Sequence, residues 1–131
     1  MSDARRVVNS ERAARPDLPL SHAVAHGGVL YVGGQAGIDP DTRTVVADAF
    51  EPQFVQAMAN LSAVAEAGGS GLEHALKMTV YVRDLGRYDE LNTLYSRYFD
   101  AAPPARKVVC CPLLPGLEVE VDAILAIPEA D

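Results

Sequence analysis

Among the 131 residues of this chain, the two best suited to chemistry are Arg106 and Glu120. Arg106 follows Pro103-Pro104-Ala105 and opens a β-prone run, so its side chain starts from a stiff position at the mouth of a sheet rather than from a loose loop. A guanidinium placed in this way offers a planar fork of donors that matches a carboxylate two-to-two, and it keeps its charge at every physiological pH. Glu120 stands in the alternation Glu118, Glu120, Asp122, three carboxylates crowding one face of a strand. If that face lines a partly dry cleft, desolvation and like charge raise one carboxyl pKa toward the range where a general acid or base works. Local sequence leaves the plainer alternatives open: a surface ion pair for Arg106 and a solvated outer face for Glu120.

The remaining reactive residue types point to structure. Cys110 and Cys111 are adjacent, and a bridge between neighbours closes a strained ring. Reduced thiols in a reducing compartment are expected, one on each face of a strand, acting as small half-buried hydrophobes. His22 and His26 are four apart, a spacing that suits a metal only on a helix, and they fall in a strand and turn region. His74 has no partner in sequence, so no metal site is expected. Gly27-Gly28 and Gly33-Gly34 read as turn glycines, because no Lys-Ser/Thr pair follows either and no GxGxxG spacing exists.

Composition narrows the partners. A formal net charge of −7, with no cluster of Lys and Arg, argues against nucleic acid. The longest apolar runs, Val29 to Val32 and Val119 to Ile127, are too short or too interrupted by carboxylates to cross a bilayer. Met1 to Arg15 lacks the apolar stretch of a secretory signal, so a cytoplasmic location is expected. With 49% apolar and 22% charged residues the chain has ordinary globular composition, and its length suits one domain over residues 1–131. Tryptophan is absent, so Val, Leu, Ile and Ala must fill the core, with Phe50, Phe54, Phe99 and several tyrosines as the larger pieces.

The elements that must position Arg106 and Glu120 follow from periodicity. Residues 1–17 are an irregular lead-in, punctuated by Pro16, with at most a short strand at Arg6 to Asn9. Val24 to His26, Gly27-Gly28 and Val29 to Val32 form a hairpin signal, and Gly33-Gly34 is expected to end its second strand. Asp39-Pro40-Asp41 is a turn. From Glu51 to Ala67 the residues Phe54, Val55, Met58, Leu61, Val64 and Ala65 make one helical stripe, stopped by Gly68-Gly69. Ser70-Gly71-Leu72-Glu73 has the spacing of a capping box. Lys77 to Val82 alternates as a strand, Arg87 to Phe99 has helical spacing ahead of Pro103-Pro104, Ala105 to Cys110 is β-prone, and Leu117 to Ile127 is the longest strand candidate. This order fits an α/β fold in which two main helices pack on one face of a mixed β-sheet.

Pro104-Ala105-Arg106-Lys107-Val108-Val109, then Leu114-Pro115 and Val119-Glu120-Val121-Asp122-Ala123, resembles the C-terminal signature of the RidA (reactive intermediate deaminase, YjgF-like) family. Pro19-Leu20-Ser21-His22-Ala23-Val24, Tyr31-Val32-Gly33-Gly34-Gln35, Val80 to Leu85 and Leu91 to Tyr95 resemble family segments in the right order, so the similarity spans about residues 18 to 127. The resemblance implies a homotrimer with a central barrel of sheets, a chorismate-mutase-like arrangement with clefts between subunits. It further implies that Arg106 holds a substrate carboxylate with help from the backbone N–H of Gly34, that Glu120 activates water, and that Asn92 is a polar neighbour. The implied reaction is hydrolysis of small enamines or imines of the 2-aminoacrylate type to 2-keto acids and ammonia. Neither metal nor organic cofactor is needed, because an imine is already electrophilic. Leu20, Val108 and Gly33 stand where active relatives carry tyrosine, cysteine and serine. That substitution pattern motivates a second expectation, a non-catalytic trimer binding small carboxylates or ketoacids in the same clefts.

Overall fold

The structure is a computed structural model describing residues 4–99 and 101–129. Residues 1–3 of the expected lead-in, and residues 130–131 of the expected domain, lie outside that description. A six-stranded mixed sheet carries two α-helices. In chain order the strands are β1 (Arg6–Val8), β2 (Ala23–His26), β3 (Val29–Ala36), β4 (Ala75–Val82), β5 (Ala105–Cys110) and β6 (Val119–Ala126). The helices are α1 (Phe50–Ala67), between β3 and β4, and α2 (Tyr88–Tyr95), between β4 and β5. Across the sheet the order is β1-β2-β3-β6-β4-β5, antiparallel except for the β4–β5 pair, which α2 connects as a crossover.

Alternation in β6 separates the two faces. Val119, Val121, Ala123 and Leu125 are buried in one core with Met78, Val80 and Val82 of β4, Phe54, Met58, Leu61 and Val64 of α1, and Leu91 and Leu94 of α2. Glu120, Asp122 and Ile124 point to the opposite face, which no helix covers. Phe54 stacks on Phe50 and takes the edge of Tyr98, so few aromatics suffice for the helix-on-sheet layer.

The glycine signals resolve in two ways. Gly27 and Gly28 both adopt positive φ (58° and 78°), which joins β2 to β3 as a tight hairpin with His26 opposite Val29. Helix α1 ends with Gly69 at φ 82°, the Ser70 N–H donating to Ala65 O and the Gly69 N–H to Glu66 O, a Schellman closure. Gly33-Gly34, by contrast, does not end β3. The strand runs on to Ala36, and between Val32 and Gln35 the pairing with β6 slips, Val32 facing Ala123 and Gln35 facing Val121. Two residues therefore oppose the single Asp122, and the glycines form a bulge. The expected capping box is also absent, because Ser70 belongs to the α1 terminus and its Oγ donates to Ala126 O at 2.6 Å. Helix α2 is shorter than Arg87 to Phe99. Its last turn tightens through i to i+3 bonds from Arg97 to Leu94 and Tyr98 to Tyr95, which still leave Tyr98 and Phe99 packed on the core.

Two buried amides on α1, Gln53 and Asn60, tie the ends of β3 and the approach to β6 to this helix. Gln53 Nε2 donates to Ala47 O and Gly116 O, each at 2.9 Å, and its Oε1 accepts the Glu118 N–H at 2.8 Å. Asn60 Nδ2 donates to Ala36 O and Ile38 O, each at 3.0 Å. Gln53→Leu keeps the volume but leaves buried backbone groups unpaired, so it should cost roughly 2–4 kcal/mol in urea or guanidinium unfolding. A loss below about 0.5 kcal/mol would show that these carbonyls find other partners.

Candidate functional site

The β3 bulge and β6 together build a polar floor. The Gly33 N–H donates to His22 O at 2.9 Å, and Gly34 lies directly under the Glu120 side chain: a Cβ added at Gly34 would sit 2.5 Å from Glu120 Oε2. A Cβ there would push the Glu120 carboxylate out of its present position, so glycine lets this side chain lie against the strand backbone, and no positive φ is involved. Glu120 is flanked across the sheet by Ala36 of β3 and Tyr81 of β4. It stands at a cavity of about 380 Å³, whose lining includes Leu20, Gly34, Gln35, Leu114 and Leu117.

One wall of that cavity is the lead-in, and a buried histidine holds it. His22 Nδ1 accepts the Ser10 N–H at 3.0 Å while Nε2 lies 2.9 Å from Ala14 O, so Nε2 carries the proton. The His22 N–H donates to Asn9 Oδ1 at 2.9 Å. This histidine is a clasp whose two ring nitrogens are both engaged. Among the described residues no group of three or more His, Cys, Asp or Glu is placed to hold a metal. Both cysteines are free thiols, Cys110 exposed with its Sγ 3.6 Å from Arg83 O and Cys111 half-buried. Among the described residues no helix is long and apolar enough to cross a membrane.

The electrostatics single out Glu120 among the three carboxylates. Burial raises its pKa above the ordinary value of 4.5, and the neighbouring Asp122 raises it further. Asp122 accepts a hydrogen bond from Tyr81 Oη at 2.7 Å, and this bond, with burial, pushes the Tyr81 phenol up to about 12. Tyr81 therefore stays a donor to Asp122 across the physiological range.

Arg106 lies elsewhere. It pairs with Met78 in the parallel β4–β5 ladder, so it shares the helix-side face of the sheet, and β5 is an edge strand. Its guanidinium sits 4.9 Å from the Tyr95 ring centre and 5.8 Å from that of Tyr88, and Nη2 donates to Tyr88 Oη at 3.2 Å. Tyr95 is buried, its hydroxyl has no hydrogen-bond partner among the described residues, and burial pushes it up to about 12 against the opposing pull of Arg106. Val108 packs against the core two residues along β5, and Asn92 lies on α2 between the two tyrosines. Within this chain the structure thus brings Glu120, Gly34 and Leu20 together, and separately Arg106 and Val108 beside α2, with β4 and the thickness of the sheet between them. Sequence reading passed over Arg15, Leu18, Ile38 and Arg43, which also line the cavity, and over Gln53 and Asn60 behind it. A signal existed for the last pair: two amides seven residues apart inside an apolar helical stripe.

A raised carboxyl pKa has a stability consequence. The folded chain holds the Glu120 proton more tightly than the unfolded chain, so this side chain favours folding below the ordinary carboxylate range and loses that contribution as pH rises through its raised value. Glu120→Gln should therefore melt above the native protein at pH 7.5, by about 1–4 °C, and the difference should vanish near pH 4. A variant that melts lower at pH 7.5 would mean that attractive charges hold the carboxylate instead.

Comparison with known proteins agrees with this architecture. A family model described as endoribonuclease L-PSP matches residues 10–127. A RutC family protein of Pyrococcus abyssi is 35% identical over 122 residues, covering 92% of this chain and 96% of the relative. The crystal structure of RidA from an Antarctic Psychrobacter superposes with a TM-score of 0.88 at 31% identity, covering 93% of this chain and 99% of that one. Escherichia coli TdcF, solved with bound serine, gives a TM-score of 0.86 at 26% identity, covering 92% and 98%. With its bulged β3, its Arg106 segment and its Glu120 strand in the order the resemblance required, and with sequence and backbone matching over the same span, this chain belongs to the RidA (YjgF-like) family.

Proposed function

We propose that this chain hydrolyses small enamines and imines of the 2-aminoacrylate type to 2-keto acids and ammonia, in clefts between the subunits of a homotrimer. The observation that carries the reading is the Glu120 carboxylate, desolvated over Gly34 at a cavity, in a protomer whose Arg106 faces the other way. A site that uses both groups needs a second copy, and Arg106 on an edge strand is available to one. The helix-free face supports assembly. Val7, Val24, Tyr31 and Ile124 form one cross-strand row on it, with Val7 and Tyr31 about half exposed, 49% and 50%. Three such faces turned inward make a barrel interior and remove apolar surface from water.

The chemistry follows from the two half-sites. The Arg106 fork and the Gly34 N–H hold the substrate carboxylate and Asn92 flanks it, while Leu20 and Val108 shape the pocket. An enamine first tautomerises to its imine. As Glu120 takes a proton from water, the water oxygen bonds to the imine carbon and the C=N electron pair moves to nitrogen, which is protonated. The carbinolamine then collapses: its hydroxyl proton leaves, C=O forms, the C–N bond breaks and ammonia departs. A carboxyl pKa raised by burial suits both proton transfers. No metal or organic cofactor enters this scheme. Free thiols at Cys110 and Cys111 accord with a cytoplasmic setting.

The test couples the protein to a pyridoxal enzyme that releases 2-aminoacrylate and follows keto-acid formation. Native protein should accelerate release, and Arg106→Ala and Glu120→Gln should each lose about a hundredfold or more. Equal rates for all three at the no-protein background reject the reading. The absence of the family tyrosine, serine and cysteine, replaced by Leu20, Gly33 and Val108, favours one alternative, a non-catalytic binder of small carboxylates. Calorimetric titration with 2-ketobutyrate or benzoate separates the two: binding without turnover selects the alternative, and no binding counts against both. Ribonuclease activity, which the family model's description suggests, is opposed by a net charge of −7.

A further inference from the structure

Nine large apolar side chains are exposed among the described residues, and three of them, Leu18, Leu20 and Leu114, line the cavity at Glu120, exposed by 60%, 43% and 70%. Ile38 and Leu117 extend the same lining. Leu18 and Leu20 come from the segment between the lead-in and β2, Ile38 from the turn after β3, and Leu114 and Leu117 from the loop before β6. Apolar surface therefore converges on this cavity from three separate segments, whereas exposed apolar residues on a protein surface are ordinarily scattered singly.

The polar groups of the cavity are confined or already engaged. Asn60 spends its amide on the Ala36 and Ile38 carbonyls, and Gln35 Nε2 donates to Gly33 O. Arg15 and Arg43 line this cavity and also the neighbouring depression formed with Asn9, Ser10 and Glu11, so they stand on the ridge between the two. Arg43 is fixed there by a left-handed backbone, φ 62°, and by donation from Nη2 to Arg15 O at 2.6 Å. Glu120 and Gly34 supply polarity at one end, and leucine and isoleucine supply the rest.

Size points the same way. An imino acid with a methyl side chain has the bulk of only three or four waters, each about 30 Å³. It would leave most of a cavity of about 380 Å³ as wetted apolar wall. We propose that the preferred substrates are imino acids with bulky apolar side chains, branched aliphatic, thioether or aromatic, lying along Leu18, Leu20 and Leu114 with the imine carbon at Glu120. This specificity rests on the deaminase reading and narrows it.

An amino-acid oxidase, adjusted to equal imine output, generates imines from alanine, leucine, methionine, phenylalanine and glutamate, with catalase present and semicarbazide trapping whatever imine escapes hydrolysis. Since a fully buried methylene is worth about fourfold in affinity, leucine- and phenylalanine-derived imines should exceed the alanine-derived one at least tenfold in kcat/KM. Leu114→Ser should lower the leucine-to-alanine ratio by about three- to tenfold. Calorimetry with 4-methyl-2-oxopentanoate and pyruvate should give the same order without turnover. Hydrolysis of all imines alike, or preference for the glutamate-derived one, overturns the specificity and leaves the deaminase reading standing. A Leu114→Ser protein with altered sedimentation and an unchanged ratio assigns the leucines to subunit contact and also overturns it. Failure to hydrolyse any imine, 2-aminoacrylate included, removes the deaminase reading and the specificity with it.

Discussion

The arrangement of the cavity depends on a buried amide, Gln53, completed by Asn60 two helical turns further on. Both occupy the α1 stripe that faces the sheet, where a side chain must be either apolar or fully hydrogen-bonded. Their partners are main-chain groups of the end of β3 and the turn after it, the loop ahead of α1, and the loop ahead of β6. One rigid helix thus sets the relative height of the Gly33-Gly34 bulge and of Glu120. The same closeness explains Gly37, where a Cβ would lie 2.5 Å from the Gln53 Cα. Backbone that approaches a helix this tightly can slide only by breaking several buried hydrogen bonds together.

Against that scaffold, Glu120 is a local cost that the fold tolerates. Its carboxylate is partly desolvated and sits beside Asp122, and both effects oppose ionisation. Tyr81 donates to Asp122, so the two neighbouring carboxylates differ in their hydrogen-bond partners. The segment from Glu118 to Asp122 consequently has three acids in three environments: Glu118 just ahead of β6, Asp122 paired with a phenol, and Glu120 over bare glycine backbone. Unequal environments of this sort are how one carboxylate of a row is set apart for proton transfer.

Much of the fold was legible in the residues themselves. The β2–β3 hairpin, the α1 stripe with its glycine stop, and the alternation of β4 and β6 depend on local periods and turn chemistry, which sequence displays directly. What escaped reading depends on pairing across the sheet. The Gly33-Gly34 bulge exists only relative to β6, and Ser70 lost its capping role to Ala126, 56 residues away. The separation of Arg106 from Glu120 belongs to the same class. Both residues sit in alternating strands, but the face each occupies follows from the registers Met78–Arg106 and Tyr81–Glu120, and neither register is written in the chain near them. Gln53 and Asn60 were passed over because a polar residue in an apolar stripe reads as an interruption of the core rather than as a bolt.

The setting of Arg106 completes the logic of two half-sites. The Arg106 guanidinium lies over the Tyr95 and Tyr88 rings, and among the described residues only its Nη2 donates a hydrogen bond, to Tyr88 Oη. A guanidinium has five N–H donors, so most of the fork is oriented without being used. No carboxylate of the described residues lies within ion-pair distance of it, although acids outnumber bases in this chain. A cation fixed by aromatic faces on an edge strand, with its fork left open, is complementary to an acceptor from outside the protomer. Among the described residues, no cation lies within ion-pair distance of the Glu120 carboxylate on the opposite face of the sheet. Because the sheet keeps the open fork and the desolvated carboxylate apart inside one chain, the proposed chemistry, in which the fork holds the substrate carboxylate and Glu120 moves the proton, requires a second copy to bring them to one cleft.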